Sequence, residues 1–265
     1  MTLGTYETLN LALARKHVLL VTLSRPEAAN AMNTQLSRDV TAVFEGLALD
    51  ADDVRCVVVT GEGEKAFCAG GDLKERKGMT DEAWGKQHVV FERMVRALID
   101  CPIPMLGAVN GAAYGGGCEI AATMDFLYAS ETARFAMTEV TLRIIPGAGG
   151  TQTLARSMGE RRAKELILSG RPFSADEAAE WGLVNAVYPQ VDLLDASLDM
   201  AERIAGNAPI AVRQAKQAIH RGLGMSLSDG LIFEIEAYNR TVPTEDRREG
   251  VLAFNEKRKA IFQGR

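Results

Sequence analysis

Three short apolar runs, "HVLLVTLS", "RCVVVTG" and "PMLGAVNG", constrain the fold more than any other feature of the chain. Each is short, bounded by turn-forming or charged residues, and lacks the polar alternation of a half-exposed strand. Such runs read as strands buried on both faces. Between them lie segments with helical spacing. "NTQLSRDVTAVFEGLALD" sets Leu36, Val40, Val43, Phe44 and Leu47 on one face, with Asn33 as its N-cap. "DEAWGKQHVVFERMVRALID" reads as a second helix, "GGGCEIAATM" opens a third, and "DFLYAS" follows as a strand. "ETLNLAL" reads as a strand paired with "HVLLVTLS", the two joined at residues 14–16. Buried strands alternating with helices predict an α/β core with a largely parallel sheet.

From about Ser174 the pattern turns helical, and only "LVNAVYP" interrupts it as a strand-like piece. A chain of 265 residues is then one domain with an appendage: a core over residues 1–195 and a helical region over 196–265.

Charge and cysteine usage narrow the function. A net charge of −5 argues against a nucleic-acid partner, although Lys and Arg gather in the terminal "NEKRKAIFQGR". Cys56, Cys68, Cys101 and Cys118 include no C-x-x-C pair, and His17, His88 and His220 are scattered, so no metal site is expected. The cysteines form no disulfide framework, which fits a reducing compartment. Arg15, Lys16 and His17 interrupt the apolar N-terminal stretch, so it lacks the layout of a signal peptide. No run approaches a membrane span, and a cytoplasmic protein without a membrane partner is expected.

Two glycine-rich stretches and two acids carry the candidate chemistry. "NGAAYGGGCEIA" puts Gly115 to Gly117 between a buried strand and a helix, where backbone N–H groups are free at the positive end of the dipole. A developing negative charge is stabilised at such a place, but a glycine triplet alone equally serves a tight turn and close packing. Glu119 stands one helical turn beyond Gly116 among the apolar Cys118, Ile120, Ala121 and Ala122. An acid in that setting is a candidate proton-transfer group. Glu139 follows Thr138 at what reads as a short helical turn, and taken alone it is a surface acid. "FCAGGDLKE" holds a second glycine pair, and "IIPGAGGTQ" is an apolar glycine-rich loop. G-x-G-x-x-G, the P-loop pattern and G-x-S-x-G are all absent from the sequence. Backbone donors for an oxyanion, carboxylates for proton movement and no nucleophile signature together form the equipment for chemistry through an enolate.

"FCAGGDLKE", "NGAAYGGGCEIA", "MTEVTLRIIPGAGGTQ" and the terminal "FNEKRK" together resemble the enoyl-CoA hydratase/isomerase (crotonase) family, in the family's order and over nearly the whole chain. The resemblance implies an α/β fold, a spiral of β-β-α units with a C-terminal helical trimerisation region. It implies that Gly71 and Gly116 give backbone N–H groups to a thioester oxygen, and that Glu119 and Glu139 are the catalytic pair. It implies a CoA-binding stretch over Gly71, Asp72, Leu73 and Lys74, with Ala69 near the adenine, and Lys257 reaching a CoA phosphate, often that of a neighbouring subunit. The implied reaction is hydration of a 2-enoyl-CoA thioester, with no metal and no cofactor beyond the CoA of the substrate. The implied assembly is a homotrimer or homohexamer.

The chain departs from the family's straight-chain hydratases at Met137-Thr138-Glu139, where they commonly carry Gln-Pro-Glu. "DLKERKGMT" resembles the methylglutaconyl-CoA hydratase branch. A double-bond isomerase or a branched-chain hydratase of the same fold is the near alternative. A non-catalytic RNA- or protein-binding member is the alternative from another class.

Overall fold

The structure is a computed structural model that describes residues 4–265. Residues 1–3, the start of the stretch read as lacking a signal peptide, lie outside the described residues. In chain order the strands are β1 (Leu9–Arg15), β2 (Val18–Leu23), β3 (Cys56–Gly61), β4 (Ala66–Cys68), β5 (Met105–Val109), β6 (Ala112–Tyr114), β7 (Phe126–Ser130), β8 (Arg134–Ala136), β9 (Phe173–Ser174) and β10 (Ala186–Tyr188). The helices are α1 (Thr34–Leu49), α2 (Leu73–Arg76), α3 (Asp81–Asp100), α4 (Gly116–Ala121), α5 (Gly150–Met158), α6 (Glu160–Ser169), α7 (Ala175–Glu180), α8 (Leu193–Ala205), α9 (Pro209–Gly222), α10 (Leu227–Asn239) and α11 (Glu245–Asn255).

The strands make two sheets, ordered β1-β2-β3-β5-β7-β10 and β4-β6-β8-β9. Among the described residues, only the β1–β2 and β8–β9 pairs are antiparallel. The division into two sheets follows from short connections. β3, β5 and β7 each have parallel neighbours on both sides. Only a few residues separate each from the next strand, far fewer than the dozen or so that a parallel return to the same sheet requires. The next strand therefore leaves for the second sheet. Asn110 pins one such corner: its amide donates to the carbonyls of Gly61 and Gly63, and its oxygen accepts from Gly61 N–H. The repeated unit is thus strand, strand, helix.

The apolar runs are buried on both faces as their composition requires. Along β3, Val57 and Val59 enter the main core with Leu36, Val40, Val43, Phe44 and Leu47 of α1. The alternate residues Cys56 and Val58 pack with Leu193, Leu198, Ala201 and Ala205 of α8. Full burial of one such Val, Leu or Phe side chain contributes about 1.5–3 kcal/mol. Asn33 caps α1 as expected, its side-chain oxygen accepting from Leu36 N–H at 2.8 Å.

The position of α8 changes the expected organisation. A division between residues 195 and 196 falls inside this helix, which covers one face of the main sheet. "LVNAVYP" contributes β10, the sheet's last strand. The region without a sheet beneath it starts at α9. There α9 packs on α10, and Leu231, Ile232, Ile235, Leu252 and Phe254 of α10 and α11 are exposed. Among the described residues, no helix is long and apolar enough to cross a membrane, no group of His, Cys, Asp and Glu is placed to hold a metal ion, and all four cysteines are free and buried.

Candidate active site

The second sheet brings the two glycine stretches together. β4 and β6 are neighbours, so the loop after β4 (residues 69–72) lies against the start of α4 after β6. Two contacts need glycine. Gly70 has φ of +93°, and a Cβ there would stand 2.6 Å from the Tyr114 carbonyl oxygen. A Cβ on Gly117 would lie 1.9 Å from the Cys68 oxygen. The packing role of the glycines is therefore real.

It is not their whole role. Met32 grips the residues on either side of Gly71: its N–H donates to the Gly70 oxygen at 2.7 Å, and its oxygen accepts from Asp72 N–H at 2.9 Å. Gly71 N–H is left with no acceptor among the described residues, and so is Gly116 N–H at the first turn of α4. The two amides are close neighbours. A Cβ on Gly116 would lie 3.7 Å from Gly71 N, and one on Gly70 would lie 3.4 Å from Gly116 N. Two free donors, one at a helix N-terminus, can hold an oxyanion.

Both glutamates stand over the same cleft, whose volume is about 550 Å³. Glu119 is 2% exposed. Its Oε1 accepts from Ala148 N–H and Gly150 N–H, both at 2.8 Å, so the "IIPGAGGTQ" loop holds this carboxylate by its backbone. Burial pushes the Glu119 pKa up to about 7, and the charge of Glu139 adds to the rise; the backbone donors oppose it. Glu139 heads a 3-10 turn, Glu139–Leu142, and is 8% exposed rather than the surface acid its sequence context suggests. Burial raises its pKa as well. Its Oε2 is buried without a hydrogen-bond partner among the described residues, and Oε1 lies 2.9 Å from where a Cβ on Gly115 would be. An unpartnered buried carboxylate oxygen is costly, and a water or substrate atom in the cleft would satisfy it.

Of the residues expected at the site, Ala69, Gly71, Leu73, Gly116, Glu119 and Glu139 line the cleft. Asp72, Lys74 and Lys257 do not. The Asp72 carboxylate is committed elsewhere: it accepts from Lys74 N–H and Glu75 N–H at the start of α2 and pairs with Arg25 at 3.0 Å. It fixes the loop's shape. Lys257 is exposed just beyond α11, outside this chain's own cleft. The lining also includes Arg76, Trp84, His88, Phe91, Leu142, Ile144 and Ile145, none of them expected there. Trp84, His88 and Phe91 occupy one helical face by their i, i+4, i+7 spacing, a signal present in a segment that the sequence showed only as a helix.

With this geometry in place, the enoyl-CoA hydratase/isomerase family model matches residues 14–265. The chain belongs to the enoyl-CoA hydratase/isomerase family. The Bacillus subtilis protein YngF, whose name assigns it to the same family, is 45% identical over 94% of this chain and 95% of its own length. A short-chain-enoyl-CoA hydratase of Clostridium acetobutylicum is 42% identical over 91% of this chain and 92% of its own length. The crystal structure of an enoyl-CoA hydratase from Bacillus anthracis superposes with a TM-score of 0.95 at 43% identity, covering 98% of this chain and 100% of that one. The strand-strand-helix repeat is the crotonase fold of that family.

Proposed function

We propose that the protein hydrates a 2-enoyl-CoA thioester to the 3-hydroxyacyl-CoA. The observation that carries this reading is the presence of two buried carboxylates, Glu119 and Glu139, in the cleft that also holds the free amides of Gly71 and Gly116. The thioester oxygen accepts from the two amides. Glu119 and Glu139 hold one water between them, and their raised pKa values keep a shared proton on the pair near neutral pH. The ionised carboxylate of the pair takes one proton from the water as its hydroxyl adds to Cβ, and electrons move toward the thioester oxygen as an enolate forms. A proton returned from the pair at Cα completes the addition of one water. An isomerase needs only one carboxylate to shuttle its proton, so the paired acids favour hydration. The reading requires no cofactor beyond the substrate's own CoA and fits a cytoplasmic enzyme.

Crotonyl-CoA should therefore give a product heavier by one water, and faster than a 3-enoyl-CoA gives its 2-enoyl isomer of unchanged mass. Isomerisation without hydration would overturn the assignment. Turnover of neither, with salt-dependent binding to a nucleic-acid duplex, would favour the non-catalytic alternative.

The exposed apolar face of α10 and α11 supports assembly as a homotrimer or a dimer of trimers, with Lys257 serving the CoA phosphates of a neighbouring subunit. Sedimentation at low micromolar concentration should give a trimer or hexamer. A stable, active monomer would remove that role for Lys257.

A further inference from the structure

The chain's departure from Gln-Pro-Glu at residues 137–139 has two unlike halves. Met137 is fully buried and does not line the cleft. Thr138 does line it, and brings a hydroxyl where a proline has none. A threonine just ahead of a helical turn usually spends its hydroxyl as a cap, accepting from an N–H of that turn. Thr138 stands at that place before Glu139–Leu142, yet its side chain makes no capping bond. Thr141 donates instead to the Thr138 backbone carbonyl, from its N–H at 3.0 Å and its hydroxyl at 2.7 Å. The Thr138 hydroxyl itself has no hydrogen-bond partner among the described residues.

This hydroxyl is the neighbour of Glu139 in space as well as in sequence. A Cβ on Gly115 would stand 2.9 Å from Glu139 Oε1 and 3.7 Å from Thr138 Oγ1, so acid and hydroxyl meet over one glycine. The residue after that glycine is Gly116, which carries one of the two free amides. Of the other polar side chains in the lining, Arg76 stacks on α3 and His88 stands against Gly147, both away from this corner.

A water that attacks Cβ has two hydrogens and two lone pairs to place. One lone pair faces Cβ. The ionised carboxylate of the glutamate pair takes one hydrogen, and the protonated one donates to the second lone pair. One hydrogen is left over. Without an acceptor for it, the water turns freely about the line joining the two carboxyl groups and loses its aim. We propose that Thr138 is a third catalytic side chain, whose Oγ accepts this remaining hydrogen while its own O–H donates to the Glu139 carboxylate. Thr138 gains no proton in the step. The hydrogen it orients stays on the oxygen and becomes that of the product's 3-hydroxyl group. This rests on the reading of the cleft as a hydratase site and adds a residue to its mechanism.

Two substitutions separate the hydroxyl from the shape of the side chain. Thr138→Val keeps the branched shape and loses the hydroxyl. Thr138→Ser keeps the hydroxyl and loses the methyl group. With crotonyl-CoA, Thr138→Val should lower kcat by about 10-fold, the effect of one well-made hydrogen bond. Its affinity for the saturated butyryl-CoA, to which no water adds, should stay that of the wild type. Thr138→Ser should keep most of the wild-type kcat. Folding is checked by circular dichroism, and if Thr138→Val does not fold, Thr138→Ala takes its place with the same expected loss. A folded hydroxyl-free variant with wild-type kcat overturns the proposal. So does a Thr138→Ser protein that loses as much kcat as Thr138→Val, because the methyl group and its packing would then be what matters. A variant that keeps kcat and loses only butyryl-CoA affinity also overturns it, since the hydroxyl would then touch the ligand and not the water. A wild type that does not hydrate crotonyl-CoA overturns the hydratase reading itself, and this proposal with it.

Discussion

Replacing Glu119 with glutamine is expected to slow hydration by about 10²–10⁴-fold, the usual contribution of a general acid–base group, and to stabilise the protein above neutral pH. Both effects have one cause. Glutamine keeps an Oε1 that can accept from Ala148 and Gly150 N–H, so the loop stays anchored. It cannot carry a proton to or from water. Folding raises the Glu119 pKa from 4.5 to about 7, so between these values the folded protein binds more protons than the unfolded chain. Its stability is complete below pH 4.5 and is lost as pH rises through about 7. The variant has no such titration. Its advantage over the wild type should therefore grow across that window by on the order of 3 kcal/mol, measured by urea unfolding at several pH values. Glu139→Gln should lose activity to a similar degree, and because burial also raises the Glu139 pKa, it should gain stability in the same direction. Near-wild-type turnover by either variant on every enoyl-CoA tried would remove the two-carboxylate mechanism. A stability difference that stays flat with pH would mean that Glu119 is not protonated in the fold.

The middle of the main sheet was legible because β3 and β5 are buried on both faces and so show as unbroken apolar runs. The cap of α1 was legible because Asn33 stands directly before a helical period. The second sheet was not. β4, β6 and β8 have three residues each, "AFC", "AAY" and "RFA", too few to display a period of two. Their existence entered only through the family resemblance, yet they bring the Gly70–Gly71 loop against α4. Glu139 was misjudged alone because its burial depends on β8 and a 3-10 turn packing beside Gly115, contacts remote in sequence. Arg76 stands in "KERK", a run of charges in which nothing marks one side chain as held in a cleft. Only the helix that follows, stacking Trp84 and Phe91 beneath it, makes it part of the cleft. α8 was assigned partly to the appendage because amphipathic spacing does not say which partner a helix covers.

The second large effect concerns the oxyanion donors. As the enolate forms, the thioester oxygen gains charge, so donors aimed at it help more in the transition state than in binding. Truncating a side chain cannot remove a backbone N–H, but proline can. Gly117 is not usable even as a control, since any Cβ there meets the Cys68 oxygen at 1.9 Å. Gly116 stands at the helix start, where proline is tolerated, but a Cβ there would press on Met32 Cε at 2.8 Å. Gly71 is the better position: the nearest atom to its added Cβ is Arg76 Nη1 at 3.4 Å, and its φ is not positive. The residue ahead of it is Gly70, with no Cβ to clash with the new ring. Gly71→Ala keeps the N–H and measures the effect of the methyl alone. Gly71→Pro removes the donor as well, and its kcat should fall below that of Gly71→Ala by on the order of 10²–10³-fold. Folding of both is checked by circular dichroism, and affinity by binding of butyryl-CoA. If a folded Gly71→Pro protein keeps the kcat of Gly71→Ala and loses only affinity, "FCAGGDLKE" holds CoA without stabilising the enolate. The amide at Gly116 would then have to carry that charge alone.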